Sequence, residues 1–166
     1  MGCRALFIGG IKSGKSKNAE TYVLKKSKNL PIYLATTEFI DDEMQIRIEA
    51  HKLQRSERFL TVEEPLNLPY ALHDFKGMVL IECISMWINN LLYHGFTEDD
   101  MIKQIDTLNK LEAQIVFVQN DVGCSVIGAD KLTRDFVDIN GRISQYLAST
   151  CKEVYNNIAG IAVKIK

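Results

Sequence analysis

Gly9-Gly10-Ile11-Lys12-Ser13-Gly14-Lys15-Ser16 has the spacing G-x-x-x-x-G-K-S, and those residue types suit the holding of a polyphosphate. Phosphates in a row need several backbone N–H groups converging on them, which a tight loop of conformationally permissive residues supplies. Gly9, Gly10 and Gly14 are read as that freedom. Lys15 then brings a point charge to the outer phosphates. The Ser16 hydroxyl coordinates Mg2+ at the start of a helix whose dipole also favours anions. The competing reading is a chance match in a Gly/Lys/Ser-rich turn. The flanks argue against it, because the apolar run Ala5-Leu6-Phe7-Ile8 reads as a buried strand and a helical pattern follows. The motif fixes a nucleotide triphosphate and no particular reaction.

Three further groups could share that chemistry. Met78-Val79-Leu80-Ile81 is an apolar strand that meets a carboxylate at Glu82, where an acid organises Mg2+ together with the loop hydroxyl. Thr36 and Thr37 end the short strand Ile32-Tyr33-Leu34-Ala35, at the edge where open parallel sheets bind ligands; a plain turn reads equally well there. Arg47, His51, Arg55 and Arg58 share one arc of a helix expected from Asp41 or Asp42 to about Arg58. Such a stripe suits a triphosphate, and it also suits an ordinary solvated face.

The elements that must position these residues alternate. A helix is expected from Lys15 to about Ser27, and short elements over Thr61–Glu64 and Leu66–His73. Helices follow from Met86 to about Tyr93, from Glu98 to Glu112 capped by Thr97, and from Asp130 to about Lys152, the last buried through Leu132, Phe136, Ile139, Ile143 and Leu147. Ile115-Val116-Phe117-Val118 is another buried strand ending in polar residues, Asn120 and Asp121, and an alternating strand closes the chain over Gly160–Lys166. The order predicts an α/β fold, a mostly parallel sheet with helices on both faces and an antiparallel C-terminal strand.

At 166 residues the chain fits a single nucleotide-binding domain spanning 1–166. Its 46% hydrophobic and 25% charged residues are ordinary globular composition, and a net charge of −1 gives no footprint for nucleic acid or anionic membrane. Small-molecule partners are expected. Cys3, Cys83, Cys124 and Cys151 are too scattered for a metal pair or a secreted disulfide framework, so reduced, mostly buried thiols are expected. A strand within a few residues of Met1 leaves no room for a leader peptide, and no apolar run approaches the ~20 residues that span a bilayer. A cytoplasmic protein is the expectation.

Taken together, the loop Gly9–Ser16, Tyr33-Leu34-Ala35-Thr36, Asp41-Asp42-Glu43-Met44, Arg47-Ile48 with His51, Leu80-Ile81-Glu82-Cys83, Asn120-Asp121-Val122-Gly123, Asp138 with Gly141-Arg142 and Gln145, and Val163-Lys164-Ile165-Lys166 form a series. It resembles the adenosylcobinamide kinase/adenosylcobinamide-phosphate guanylyltransferase family of cobalamin biosynthesis, from the first strand to the last residue. The chain departs from that pattern with a single His51 after Ala50 where some members have a histidine pair, and with Phe59, Asp121, Cys124-Ser125 and Gly128.

The resemblance implies a RecA-like P-loop NTPase fold assembled as a homotrimer, with GTP as donor for both reactions and ATP also usable for the kinase step. It implies phosphorylation of adenosylcobinamide, then transfer of GMP through His51 to give adenosylcobinamide-GDP. By the same resemblance Ala35, Thr36 and Thr37, the segment Lys52, Leu53, Gln54 and Arg55, and Glu63 help hold the nucleotide, beside the loop Gly9–Ser16 and Glu82. Neutral imidazole at cytoplasmic pH suits a nucleophile that attacks phosphorus without a separate base, although a lone helical histidine also reads as a surface or packing residue. Two rivals stay open: a small-molecule P-loop kinase without guanylyl transfer, and a catalytically silent nucleotide-binding module. A regulatory GTPase would read guanine through Asn-Lys-x-Asp, and Asn120-Asp121-Val122-Gly123 is not that tetrad.

Overall fold

The computed structural model describes residues 2–38, 57–124 and 127–166. Seven strands form one sheet: β1 (Gly2–Gly9), β2 (Ile32–Ala35), β3 (Leu60–Glu63), β4 (Met78–Glu82), β5 (Gln114–Asn120), β6 (Glu153–Ile158) and β7 (Ile161–Lys164). Their spatial order is β3-β2-β4-β5-β1-β6-β7. All neighbours are parallel except β6 and β7, an antiparallel pair at one edge. The described helices are α1 (Lys15–Lys26), α2 (Leu68–Leu72), α3 (Ile84–Tyr93), α4 (Glu98–Lys110) and α5 (Lys131–Thr150).

Strand alternation divides the core. Cys3, Leu6, Val79, Ile81, Ile115 and Phe117 face a layer built by α2 to α5, through Leu68, Leu72, Trp87, Leu91, Met101, Ile105, Ile143 and Leu147. Ala5, Phe7, Leu80, Val116 and Val118 face Ala19 and Val23 of α1 on the other side. Central parallel strands covered on both faces need near-continuous apolar sequence, which β1, β4 and β5 have.

Local signals fix the helix starts. Thr97 and Asp100 form a reciprocal capping box on α4, and the Asp130 carboxylate accepts from Thr133 N at 2.8 Å to start α5. Thr97 caps where the sequence predicts it, and the second helix starts at the expected Asp130. Elsewhere the expectations need correction. The strand β6 was not anticipated, because the helical reading ran to Lys152 and Asn156 and Asn157 interrupt its alternation. Leu132 is 72% exposed along with the rest of the first turn of α5, and of the apolar residues expected to bury this helix only Ile143 and Leu147 bury fully. Cys3 and Cys151 are bonded to each other, with Cα atoms 4.7 Å apart, in place of the expected free thiols. They are 148 positions apart, so nothing in their spacing signals that β1 and the end of α5 meet. The helix expected from Asp41 to Arg58 lies outside the described residues, apart from a turn at 57–58. No helix among the described residues is long and apolar enough to cross a membrane.

Candidate functional site

The loop between β1 and α1 lies at the carboxyl end of the central strands, where parallel sheets bind ligands. Two of its glycines are required by geometry. Gly14 takes φ +89° as the first cap of α1, and a Cβ there would stand 2.8 Å from the Gly160 Cα. A Cβ on Gly9 would stand 2.6 Å from the Asn157 carbonyl oxygen. Gly10, expected to supply freedom as well, faces open space with an ordinary φ, and Lys12 takes the second left-handed position instead, at φ 59°. Gly160 N donates to Ser13 O at 2.9 Å, and Asn18 Nδ2 donates to Asn157 Oδ1 at 2.9 Å and Gly160 O at 3.1 Å. The β6–β7 turn thus buttresses the loop from behind.

Lys15 is buried and its Nζ donates to Gly10 O at 3.2 Å, so its charge folds back over the loop. The Ser16 hydroxyl donates to Glu82 Oε1 at 2.6 Å, a short charge-assisted bond. Two hard oxygen donors of the kind Mg2+ prefers therefore meet at the N-terminus of α1. They converge because β4 ends at Glu82 with the same alternation that places Leu80 on the α1 side. Ile11 and Lys12 are exposed, while the Ser13 hydroxyl is buried and has no hydrogen-bond partner among the described residues.

Behind Glu82, Thr36 is fully buried. Its hydroxyl donates to Cys83 O at 2.8 Å and accepts from Cys83 N at 3.0 Å, clasping the end of β2 to the end of β4. Thr36 is therefore where the sequence places it, at the strand's edge, but its hydroxyl is committed to the backbone. Ala35 and Thr37 flank it and are half-buried. Burial pushes the Cys83 thiol up to about 12, with the Glu82 charge adding to it, so this thiol stays protonated and is no nucleophile. Glu63 is exposed at the end of the edge strand β3, two strands from Glu82, with Ala35 of β2 in register between them, and four strands from β1 and its loop. His51 and Lys52, Leu53, Gln54 and Arg55 lie outside the described residues.

Four buried polar residues around the site escape a motif search. Asn90 Nδ2 donates to Thr36 O at 2.6 Å and Pro65 O at 3.2 Å, tying together the loops that follow β2 and β3. Ser85, Gln119 and Asn140 form a second network beneath the end of β5. Their signal in the sequence is a polar residue on an otherwise apolar face: Asn90 beside Trp87 and Leu91, Asn140 before Ile143 and Leu147.

The family model described as cobinamide kinase / cobinamide phosphate guanyltransferase matches residues 5–165. The bifunctional adenosylcobalamin biosynthesis protein CobU of Escherichia coli (strain K12) is 35% identical over 180 residues, covering 97% of this chain and 98% of that protein. The bifunctional adenosylcobalamin biosynthesis protein CobP of Pseudomonas aeruginosa is 31% identical over 169 residues, covering 98% and 97%. Among solved structures, the flagellar accessory protein FlaH from Methanocaldococcus jannaschii superposes with a TM-score of 0.54 at 12% identity, covering 99% of this chain and 78% of that one. A KaiC-like protein from Pyrococcus horikoshii OT3 gives 0.52 at 11% identity, covering 93% and 70%. Those likenesses show a shared fold. Near full-length identity to the two biosynthetic proteins goes further: the chain belongs to the cobinamide kinase / cobinamide phosphate guanyltransferase family.

Proposed function

We propose that this protein carries out both reactions its family is named for: phosphorylation of adenosylcobinamide, then guanylyl transfer from GTP to the phosphorylated product through a GMP-histidine intermediate on His51. The observation that carries the nucleotide half is the Ser16 hydroxyl bonded to Glu82 at 2.6 Å beside a buried Lys15. In the kinase step a substrate hydroxyl oxygen attacks the terminal phosphorus. The bond to the bridging oxygen breaks, the nucleoside diphosphate leaves with the electron pair, and the hydroxyl proton passes to solvent. Lys15 and the loop amides offset charge on the phosphates as that bond breaks. Ser16 and Glu82 hold Mg2+, which when bound neutralises charge on the outer phosphate oxygens. Gly10 to Gly14 wrap the phosphates, and the end of β2, with Ala35 and Thr37, walls the site on the far side of Glu82.

In the second reaction the His51 imidazole attacks the alpha phosphorus of GTP and pyrophosphate leaves. The phosphate oxygen of the phosphorylated substrate then attacks that phosphorus and releases the histidine. Lys52, Leu53, Gln54, Arg55 and Glu63 hold the nucleotide, ATP serves the kinase step as well, and the working form is a homotrimer in the cytoplasm. Support for these roles is family membership and the matching positions in the sequence.

The test is labelling. Protein incubated with Mg2+ and alpha-labelled GTP should retain label after denaturation, and gamma-labelled GTP should leave none. The bond should be lost in acid and survive alkali, as a phosphoramidate does. It should be missing in His51→Ala and present in His73→Ala and His94→Ala. Kinase activity with no label under any condition would replace this reading with a kinase alone, and label surviving in His51→Ala would move the nucleophile elsewhere.

A further inference from the structure

Between the end of β5 and the start of α5 lies an open cavity of about 430 Å³, the size of a small-molecule site. The nucleotide site uses none of its walls. Asp121 N donates to Gly9 O at 2.9 Å, so the chain that lines the cavity leaves β5 against the first residue of the phosphate loop. Val122 and Gly123 follow at once. Ile127 and the first two turns of α5 supply the rest of the lining. Val122, Gly123 and Asp138 belong to the series of residues that carries the family resemblance, yet no step of the nucleotide chemistry employs them.

The walls are tied together by the protein itself. Arg134 Nη1 donates to Gly128 O at 3.0 Å and Ala129 O at 2.7 Å, and Arg142, two turns further along α5, grips Glu98 of α4 with bonds at 2.9 and 2.8 Å. Lys131 pairs with Asp135. Both lining cations are therefore engaged, and with Asp135 and Asp138 opposing them the lining carries no net charge. Such a wall does not draw a phosphate. Its apolar surface comes from the half-buried Val122 and Val137 and from Ile127, which is 82% exposed. Asp138 is exposed, and its carboxylate makes no hydrogen bond among the described residues, so it is open to an N–H donor. The chemistry fits a neutral ligand with an apolar body and amide edges. A corrinoid answers to that, being a flat, largely apolar macrocycle rimmed by primary amides.

We propose that this cavity seats the corrinoid substrate, with an edge of the macrocycle against Val122, Ile127 and Val137 and a side-chain amide donating to Asp138. The acceptor hydroxyl then reaches the phosphate loop past Asp121. This rests on the function proposed above and gives its second substrate a place of its own, on the connection that leaves β5 beside the first.

Equilibrium dialysis with cobinamide, read by the corrin's own visible absorbance, measures occupancy without turnover. Ile127→Asp changes a position too exposed to matter to folding, and it should weaken cobinamide binding roughly ten- to a hundredfold, because seating the macrocycle there would strip water from a carboxylate. Asp138→Ala should weaken it about tenfold, and Asp138→Asn, whose amide oxygen still accepts, by less. In each variant GTP affinity should stay within about threefold of the parent's, and the KM for the corrinoid should rise with kcat little changed. Unchanged cobinamide affinity in both Ile127→Asp and Asp138→Ala overturns the site. Equal loss of cobinamide and GTP overturns it in favour of a support for the nucleotide loop, and a changed oligomeric state of Ile127→Asp in light scattering makes this face a contact between copies instead. Cobinamide turnover that both variants leave intact sinks the site and spares the proposed reactions. Parent protein whose cobinamide binding follows these variants but which transfers nothing spares the site and sinks the reactions.

Discussion

Glu82 sits at the junction of three constraints: its carboxylate accepts the Ser16 hydroxyl, its main chain accepts Thr36 N, and the residue after it is clasped by Thr36 Oγ1. Glu82→Gln keeps that shape and removes the charge, so the fold should persist while the Mg2+ concentration needed for half-maximal activity rises by about tenfold or more. A metal titration of the variant decides this, and a curve superimposable on the parent's would move the metal to another carboxylate. Lys15→Ala should abolish both reactions, since each needs the same charge on the same polyphosphate; residual turnover of either one above about 1% would contradict that. Gly14 is a different case, because the cost of replacing it is steric before it is chemical. Gly14→Ala places a Cβ in the left-handed region and against the Gly160 backbone, so stability should fall by about 1–2 kcal/mol or more and nucleotide affinity should fall with it. Gly10→Ala meets nothing and serves as the control, with a melting temperature close to the parent's.

Strand β6 carries a titratable cluster that ties pH to the sheet. Tyr155 stacks on Phe7 at 4.7 Å and both Tyr155 and Tyr22 hydrogen-bond Glu153. Burial, then the bond to Glu153 and its charge, pushes the Tyr155 phenol up to about 12. A raised pKa means the folded state keeps its proton longer. The stability from this phenol is therefore complete below pH ~10 and is lost as pH climbs toward about 12. The bond from Tyr155 holds Glu153 below the usual carboxylate value, so its contribution is present above that value and is lost as pH falls through the folded one. Tyr155→Phe should flatten the alkaline decline in melting temperature between pH 10 and 12, and an unchanged decline would place the responsible phenol elsewhere. This cluster also shows what the sequence withholds. Phosphate loop, α1, β4 and the α4 cap were legible because each is announced locally, by glycine spacing, by an unbroken apolar run or by a capping box. Strand β6 was not, because Glu153-Val154-Tyr155-Asn156-Asn157-Ile158 becomes a strand by pairing with β1, and the buried Asn157 amide is satisfied by distant partners, donating to Ile8 O at 3.0 Å and accepting from Asn18 Nδ2 at 2.9 Å. The Ser85–Asn140–Gln119 network was equally hidden, since its bonded members are 21 and 55 positions apart and face one another only once α3 and α5 pack on the sheet.

Across the whole molecule, the Cys3–Cys151 bond closes a loop of almost the entire chain. The chain-entropy account gives such a closure about 5 kcal/mol, and real proteins keep about 2–4 of it. A reductant should therefore lower the melting temperature of the parent by several degrees and leave Cys3→Ala/Cys151→Ala unmoved; equal melting of the parent with and without reductant would mean the bond contributes nothing. Both ends of the sequence also meet at the phosphate loop, because Gly160 and Asn157 buttress residues 9 to 18. That geometry orders events during synthesis. Gly14 and the Gly160 behind it are 146 positions apart, so the loop leaves the ribosome well before its backing, and a nascent chain carrying the complete motif should still fail to hold a nucleotide. Arrested chains ending at Lys152 should show no nucleotide retention, whereas released chains reaching Lys166 should acquire it, and affinity in the shorter chains would mean the motif shapes itself. On that expectation the growing polypeptide captures ligand only once β6 has paired with β1 and the β6–β7 turn has reached Ser13.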